Sequence, residues 1–288
     1  MIKIKYLILK ISSFFISDLI FTNVIFFFNC LRFKKPYYFL NINIPKTFNE
    51  KINYIKFNVK NDLSVLVADK LLVRNFVSAR IGSSYLIPLI AVFNSAEEIQ
   101  YNILPKSFVM KLNNGSGFNL ICKNKEEISN FKIFSYFDSI FNLNPYFYSR
   151  EWQYNIINNK ILVEKYLGDN ISDFKFFCFN GIPSFIQVDL DRFSNHKRNL
   201  YDTNWNIIDS EFIYKSYTET PLSKPICLDV MLNIARKLSD GFIFSRIDLY
   251  LIEDVVYFGE ITLHPEGGMG PFDSKISDCK FGESLRLF

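Results

Sequence analysis

The stretch 241–265, GFIFSRIDLYLIEDVVYFGEITLHP, constrains what this chain can fold into more than any other. It reads as two strands, residues 242–251 and 256–263, joined by a short acidic turn at Glu253 and Asp254. Side chains alternate across a strand, so Arg246 and Asp248 share one face and Ile247, Leu249 and Leu251 the other. On the return strand Glu260 and Thr262 share a face, and Ile261 and Leu263 take the opposite one. A turn centred on Asp254 sets Asp248 across from Glu260 and Arg246 across from Thr262. Two carboxylates at cross-strand distance, about 5 Å between Cβ atoms, repel unless a positive group lies between them. A hard divalent cation on the carboxylate oxygens, with Arg246 beside it, removes that conflict. The plainer alternative is a half-exposed hairpin with solvated acids.

A chain of 288 residues can bury a large core as one big domain or two smaller ones. With 49% hydrophobic and 22% charged residues it is globular rather than disordered. The formal charge is a mild +4 and no run of five or six basic residues occurs, so no nucleic-acid partner is expected. Cys30, Cys122, Cys178, Cys227 and Cys279 are scattered and lack CxxC spacing, which fits free thiols in a reducing cytoplasm better than disulfides or a zinc site. His196 and His264 are the only histidines, which excludes histidine-rich metal sites.

Residues 11–31 form an apolar run flanked by Lys3, Lys5 and Lys10 before and Arg32, Lys34 and Lys35 after. It approaches the roughly 20 residues of a membrane span, but Ser12, Ser13, Ser17, Asp18, Thr22 and Asn23 interrupt it. The expectation is a helix that packs on the domain or lies at a membrane surface through its Phe side and basic flanks. Thr47 stands three residues before Glu50, the spacing of a capping box. Residues 63–81 read as another amphipathic helix ending near Gly82, with Lys70 inside it, and 85–93 as a short strand.

Residues 107–123 read as a strand closed by Lys111, a small-residue loop from Asn113 through Asn114, Gly115 and Ser116 to Gly117, and a second strand. Glycines let a backbone come close to a ligand and turn its N–H groups toward an anion. A preceding lysine adds a point charge suited to phosphate. The loop is not a Walker loop, which needs GxxxxGK[ST] opening a helix. Helix-like sequence follows over 125–141, then a packing segment around Arg150, Glu151 and Trp152. ILVEKYL, 161–167, is a buried strand ending on Glu164 and Lys165. Asp173 and Lys175 alternate with Phe174 and Phe176 on the next strand, and Gly181, Ile182 and Pro183 make a turn. The strand after it puts Asp189 and Asp191 on one side, followed by Arg192, His196, Lys197 and Arg198. Asp189 and Asp191 have the DxD spacing that holds a nucleotide-sugar metal in many glycosyltransferases. The basic trio at 196–198 suits an anionic substrate or is a solvated loop. Residues 229–238 read as a helix, and HPEGGMGPFDS, 264–274, as a Gly/Pro loop that shapes a site mouth.

A lysine-ended strand, a small-residue loop, EKYL and then RID…GEIT is the order of nucleotide-binding elements in the ATP-grasp superfamily. The chain resembles one branch of it, the TupA-like proteins of cell-surface polysaccharide loci. PKTFNEK (45–51), ADK (68–70), REW (150–152), DFKFFCFNG (173–181), HKRN (196–199) and RIDLY…YFGE (246–260) carry the resemblance, which covers about residue 44 to the end.

The resemblance implies an α+β ATP-grasp fold in which two α+β subdomains clamp ATP, with a helical N-terminal segment. Its expected parts are an apolar segment 1–43, an α/β region 44–105, a small lid subdomain 106–167 and a large subdomain 168–288. It further implies that Lys70 and Lys111 touch ATP phosphates while Asn114, Gly115, Ser116 and Gly117 fold over them. Glu164 faces the adenine amino group, and Lys165, Tyr166 and Leu167 complete the purine edge. Asp173 binds ribose, with Lys175 beside it. Asp248 and Glu260 hold Mg2+, and Thr262 stands where the superfamily usually has Asn, so that a hydroxyl or a water replaces one ligand. Arg246 neutralises the transferring phosphoryl group and the developing oxyanion, with Lys197 and Arg198 as further catalytic cations. The implied chemistry is ATP-dependent joining of a carboxylate, such as a uronic acid or other sugar acid, to an amine. The implied setting is the cytoplasm, at the inner face of the membrane if residues 1–35 meet lipid. The competing expectations are a glycosyltransferase using Asp189 and Asp191, and a nucleotide-binding protein without catalysis, tolerated because of Thr262.

Overall fold

Side-chain caps at Ser17, Thr47, Asn61, Ser129 and Ser274 set where five of the helices begin. The computed structural model describes residues 2–169, 171–190, 196–217 and 222–287. Within it the 11–31 run is two helices rather than the one expected, α1 (Ile2–Phe15) and α2 (Asp18–Phe33). Ser17 is the reason: its hydroxyl accepts from the Ile20 amide at 3.4 Å and starts a second helix. In α3 (Phe48–Asn58) the capping box is present, with Glu50 N on Thr47 Oγ1 at 3.1 Å and Thr47 N on Glu50 Oε2 at 3.0 Å.

The single helix expected over 63–81 is also two, α4 (Asp62–Ala68) and α5 (Val73–Ile81). Asp69 Oδ1 accepts from the amides of Leu71 and Leu72 at 2.8 and 3.2 Å, an alternative to helical bonding that stops the first helix and takes Lys70 out of it. The remaining helices are α6 (Asn130–Ile140), α7 (Tyr146–Ser149), α8 (Leu228–Ser239) and α9 (Lys275–Glu283). Helix α9 carries little apolar periodicity in the sequence, and Ser274 caps it by accepting from Ser277 N at 3.0 Å.

The strands are β1 (Leu89–Phe93), β2 (Phe108–Leu112), β3 (Asn119–Cys122), β4 (Ile161–Lys165), β5 (Ser172–Phe179), β6 (Ile182–Leu190), β7 (Lys197–Asp202), β8 (Ile207–Ile208), β9 (Phe244–Ile252) and β10 (Val255–Thr262). The turn expected over 181–183 falls one residue earlier: Asn180 and Gly181 take φ of 50° and 80°, and Pro183 lies in β6 at a bulge opposite Cys178. The basic trio 196–198 is not a solvated loop. Lys197 and Arg198 open β7.

The chain divides into two compact units. The first consists of Met1–Phe15, Asn61–Tyr148 and Trp152–Ile171. Its antiparallel sheet has the order β1-β4-β2-β3. Alternation along β2 buries Phe108, Met110 and Leu112 against Ile133, Phe137 and Ile140 of α6 and leaves Lys111 on the opposite side.

The second unit consists of Ile16–Lys60, Ser149–Glu151 and Ser172–Phe288, and its antiparallel sheet has the order β10-β9-β5-β6-β7-β8. One face, with Phe174, Phe176, Ile247 and Leu249, is covered by α8. The other face is split. Its apolar half, including Phe177, Phe185 and Phe244, packs on Phe48 and Ile52 of α3 and Phe281 of α9. Phe48 is fully buried among the Phe177, Phe179, Phe244 and Phe272 rings, a burial that contributes about 2–3 kcal/mol. The other half of that face is polar, and the candidate site is built on it.

Candidate functional site

The hairpin of β9 and β10 reaches its register in two steps. Glu253 and Asp254 both take positive φ, 47° and 63°, and form a two-residue turn that pairs Val255 with Ile252. Continued without interruption, that register sets Gly259 opposite Asp248. A bulge between Phe258 and Glu260 shifts it by one residue, so Glu260 pairs with Asp248 and Thr262 with Arg246. The expected pairs are therefore present, but the bulge produces them rather than the turn alone.

Arg246 is a positive group shared by the two acids. Its Nε and Nη2 donate to Asp248 Oδ1 and Oδ2, both at 2.7 Å. Nη2 also reaches Glu260 Oε1 at 3.2 Å and Thr262 Oγ1 at 3.1 Å. From β5, Lys175 Nζ donates to Asp248 Oδ2 at 2.9 Å and also pairs with Asp173. Burial raises the Asp248 carboxyl above its usual range, while Arg246 and Lys175 pull it back down. Burial alone would lower Lys175, yet Asp248 and Asp173 hold its ammonium above the ordinary lysine value. Asp248, Glu260 and Thr262 offer two carboxylates and a hydroxyl, the all-oxygen donor set that a hard divalent ion takes. Among the described residues no group of three or more His, Cys, Asp or Glu suits a metal. A metal held here would need its third protein oxygen from Thr262, or water in its place.

The same face continues onto β6 and β7. Lys175 pairs with Gln187, and Asp189 with Arg198. Asp189 Oδ1 accepts from Arg198 Nε at 2.6 Å and lies 3.1 Å from His196 Nε2. Burial works to raise the Asp189 carboxyl, but the Arg198 guanidinium holds it well below the usual carboxylate range. This ion pair leaves little of Asp189 for a DxD metal site, and Asp191 lies outside the described residues. Arg198 is itself buried, stacked over Tyr214 at 5.0 Å, with Nη1 4.0 Å from Glu266. Lys197, one residue away, faces the other side and stands over the Tyr217 ring at 4.3 Å. The two cations expected to act together are thus separated by strand alternation.

The 264–274 loop is tethered at its base. Glu266, Gly267 and Gly268 all take positive φ, and the carbonyls of Gly267 and Gly268 accept from Lys56 Nζ and Asn53 Nδ2, each at 2.7 Å. Lys56 is fully buried, which pushes its amine down to about 7 despite Glu151 and Asp18 nearby. His264 Nδ1 lies 3.2 Å from Glu151 Oε1, and burial lowers the imidazole.

In the first unit, Lys111 Nζ lies 2.6 Å from Glu164 Oε2, and Arg74 Nη1 lies 3.5 Å from Glu164 Oε1. Glu164 is thus the counter-ion of two cations. In the sequence Arg74 looks like any helical arginine, and only the fold brings it to Glu164. Lys70 donates its amide to the Asn113 carbonyl at 2.7 Å and its Nζ to the Gly115 carbonyl. Asn113 Nδ2 bonds Asp69 Oδ2 at 2.8 Å and Asn158 O at 3.0 Å, and Asn114 bonds Asn159. At Gly115 (φ 62°) a Cβ would meet Pro145 Cγ at 2.6 Å. At the tip, Ser116 and Gly117 are exposed and a Cβ on Gly117 meets nothing within 4 Å. The loop therefore has an anchored base and an open tip. Lys165 is exposed and its N–H is taken by Pro88 O at 3.0 Å, so that N–H is not available to a purine. Tyr166 Oη bonds Asp169 at 2.6 Å, and Leu167 is half-buried.

A family model described as TupA-like ATPgrasp matches residues 50–286. No curated protein matches the chain. Among solved structures, a D-alanine–D-alanine ligase from Bacillus anthracis complexed with ATP is 11% identical with a TM-score of 0.43, over 69% of this chain and 54% of that one. An N5-carboxyaminoimidazole synthetase from Staphylococcus aureus is 14% identical with a TM-score of 0.43, over 77% and 53%. The D-cycloserine synthetase DcsG is 11% identical with a TM-score of 0.40, over 77% and 71%. The chain spans little more than half the length of the first two.

Proposed function

Because the chain belongs to the TupA-like ATPgrasp family, with the α+β ATP-grasp fold expected from its sequence, we propose that it is an ATP- and Mg2+-dependent ligase that joins a carboxylate to an amine. The observation that carries this reading is the constellation of Arg246, Asp248, Glu260, Thr262 and Lys175 on one sheet face. The reaction class is transfer of the γ-phosphoryl group of ATP to a carboxylate, then attack of the amine on the activated carbonyl, releasing ADP and phosphate and forming an amide.

Little covalent help is needed from the protein in such a reaction, and positioning and charge neutralisation dominate. Asp248, Glu260 and Thr262 would hold Mg2+, which when bound neutralises phosphate charge. Arg246 sits within hydrogen-bond reach of all three and supplies a fixed positive charge for the developing oxyanion. Lys175 keeps the Asp248 carboxylate oriented. Lys111 and Lys70 supply phosphate charge, with the open tip at Ser116 and Gly117 as the flap that keeps water out. Asp173 remains the ribose candidate, and Glu164 with residues 165–167 the purine edge. Arg198, oriented by Asp189, is assigned to the carboxylate substrate.

The finer reading is that the carboxylate is a uronic acid or other sugar acid of a cell-surface polysaccharide, in capsule, O-antigen or teichuronopeptide-like synthesis. It rests on the resemblance to the TupA-like branch. A cytoplasmic setting is supported by the need for ATP and by five unpaired cysteines. The glycosyltransferase alternative loses support at Asp189, whose carboxylate is already paired.

The test is an ADP-release screen of carboxylate and amine pairs with Mg2+, run beside Asp248→Asn. Release that needs both substrates, and collapses in a folded Asp248→Asn protein, is the expected result. No release with any pair, or hydrolysis of a sugar nucleotide without ATP, overturns the reading.

A further inference from the structure

The charge of this chain is concentrated at one end. Seven of its 33 basic residues and one of its 29 acidic ones lie in residues 1–46, which therefore carry +6, while the remainder carries −2 against +4 for the whole. The single acid, Asp18, lies 3.3 Å from Arg150 Nε and is neutralised within the fold. Lys5, Lys10, Arg32 and Lys34 are exposed.

The same stretch exposes apolar surface with helical order. In the second unit, α2 presents Ile20, Val24, Phe27, Phe28 and Leu31 to solvent, with Phe28 58% and Leu31 59% exposed. Their spacing puts all five on one side of the helix, with the buried Thr22 and Phe26 on the far side. Tyr37 and Phe39 stand beside this stripe and close an apolar groove of about 450 Å³ over Ile20, Val24, Phe27 and Phe28. In the first unit, α1 has a stripe of its own: Ile4, Leu7, Ile8, Ile11, Phe14 and Phe15, the two phenylalanines 76% and 84% exposed. Single exposed apolar residues are ordinary, but contiguous stripes mark surfaces that something covers.

The helices are 14 and 16 residues long, short of the roughly 20 needed to cross a bilayer. No helix of the described residues is long and apolar enough to cross one. A short helix with an aromatic side and basic flanks suits the plane of the interface instead. A second copy of the chain is a poorer occupant, since pairing these faces brings +6 against +6. An anionic surface removes that conflict.

We propose that α2 and, on its own unit, α1 are each a binding face for an anionic lipid bilayer, with Phe27 and Phe28 of the one and Phe14 and Phe15 of the other at the acyl boundary and Arg32, Lys34, Lys5 and Lys10 at the headgroups. The inference stands on residues outside the candidate site and does not depend on the ligase reading.

Co-sedimentation of the full chain with vesicles of phosphatidylcholine, with and without phosphatidylglycerol, tests this. The expected result is binding at least about tenfold tighter to the anionic vesicles, weakened by added salt. Phe27→Ser with Phe28→Ser abolishes it, as does Phe14→Ser with Phe15→Ser, while Arg32→Gln with Lys34→Gln weakens it. Phe14, Phe15 and Phe28 are largely exposed while Phe27 packs edge-on against Tyr37 at 5.2 Å, so each variant is compared at a temperature below its own melting transition, where circular dichroism shows it folded. Vesicle binding unchanged in the Phe variants overturns the proposal. So does a failure to bind anionic vesicles, whether or not sizing shows a dimer that the Phe27 and Phe28 changes dissolve.

Discussion

A β-carbon on Gly259 would stand 3.0 Å from the backbone carbonyl oxygen of Asp248 and 3.1 Å from the Tyr250 ring. The bulge that returns Glu260 to a position opposite Asp248 passes through this crowded point, where a methyl in place of hydrogen requires the Asp248 backbone and the Tyr250 ring to give by a few tenths of an ångström. Gly259→Ala is therefore expected to cost about 1–3 kcal/mol of stability by overpacking. It should also lower ADP release by at least about tenfold below the melting transition, because a one-residue slip turns Glu260 and Thr262 to the other face. Denaturant titration and turnover, measured on the same preparation, check this. Full turnover in a folded Gly259→Ala protein shows that the bulge does not position the acids.

Removing Asp189 strands Arg198. The guanidinium is buried and its Nε loses its carboxylate partner, a change that costs about 3–5 kcal/mol. The pH dependence has a definite sign. A carboxyl held below its unfolded value contributes stability that is present above that value and lost as pH falls through the folded one. The difference in unfolding free energy between wild type and Asp189→Asn should therefore shrink on acidification. A difference that stays constant from neutral pH into strong acid removes Arg198 as the cause.

Asp278 titrates with the opposite sign. It is fully buried, accepts from Asn49 N at 3.0 Å and Asn49 Nδ2 at 2.9 Å, and pairs with Tyr38 Oη. Burial pushes its carboxyl up to about 6 from 3.8, against the pull of those hydrogen bonds. The folded state therefore holds the proton more tightly. The resulting stability is fully present below 3.8 and is lost as pH rises through about 6, by up to about 3 kcal/mol at 1.4 kcal/mol per unit. Wild type should lose stability relative to Asp278→Asn across that window in urea titrations. Parallel curves for the two proteins between those pH values rule the effect out.

In the first unit, Lys111→Met removes the closest cation from Glu164 but leaves Arg74 beside it. Little stability should be lost, while ATP affinity falls at least about tenfold as a phosphate partner disappears. Calorimetric titration of ATP into variant and wild type separates the two effects. Unchanged affinity takes Lys111 out of the phosphate site.

Much of this was legible one element at a time. The alternation in RIDLY and GEIT placed Arg246, Asp248, Glu260 and Thr262 on shared faces, and Thr47 with Glu50 announced the start of α3. The breaks at Ser17 and Asp69 were less legible, because a capping side chain inside an apolar run looks like an ordinary polar interruption until its hydrogen bonds are seen.

What the amino-acid order determined by itself was local: strand periodicity, caps, turn chemistry, and the ordered motifs that mark the family. Such signals act between residues a few positions apart, and a chain carries them before it folds. Tertiary structure alone decided that Lys175 meets Asp248 across 73 positions of sequence, that Arg198 closes on Asp189 while Lys197 turns away, and that Arg246 lies between the two acids. Those contacts depend on the strand order β10-β9-β5-β6-β7-β8 and on one bulge. Both are settled by burying the two sheet faces together, a condition that all the strands satisfy jointly and none states alone.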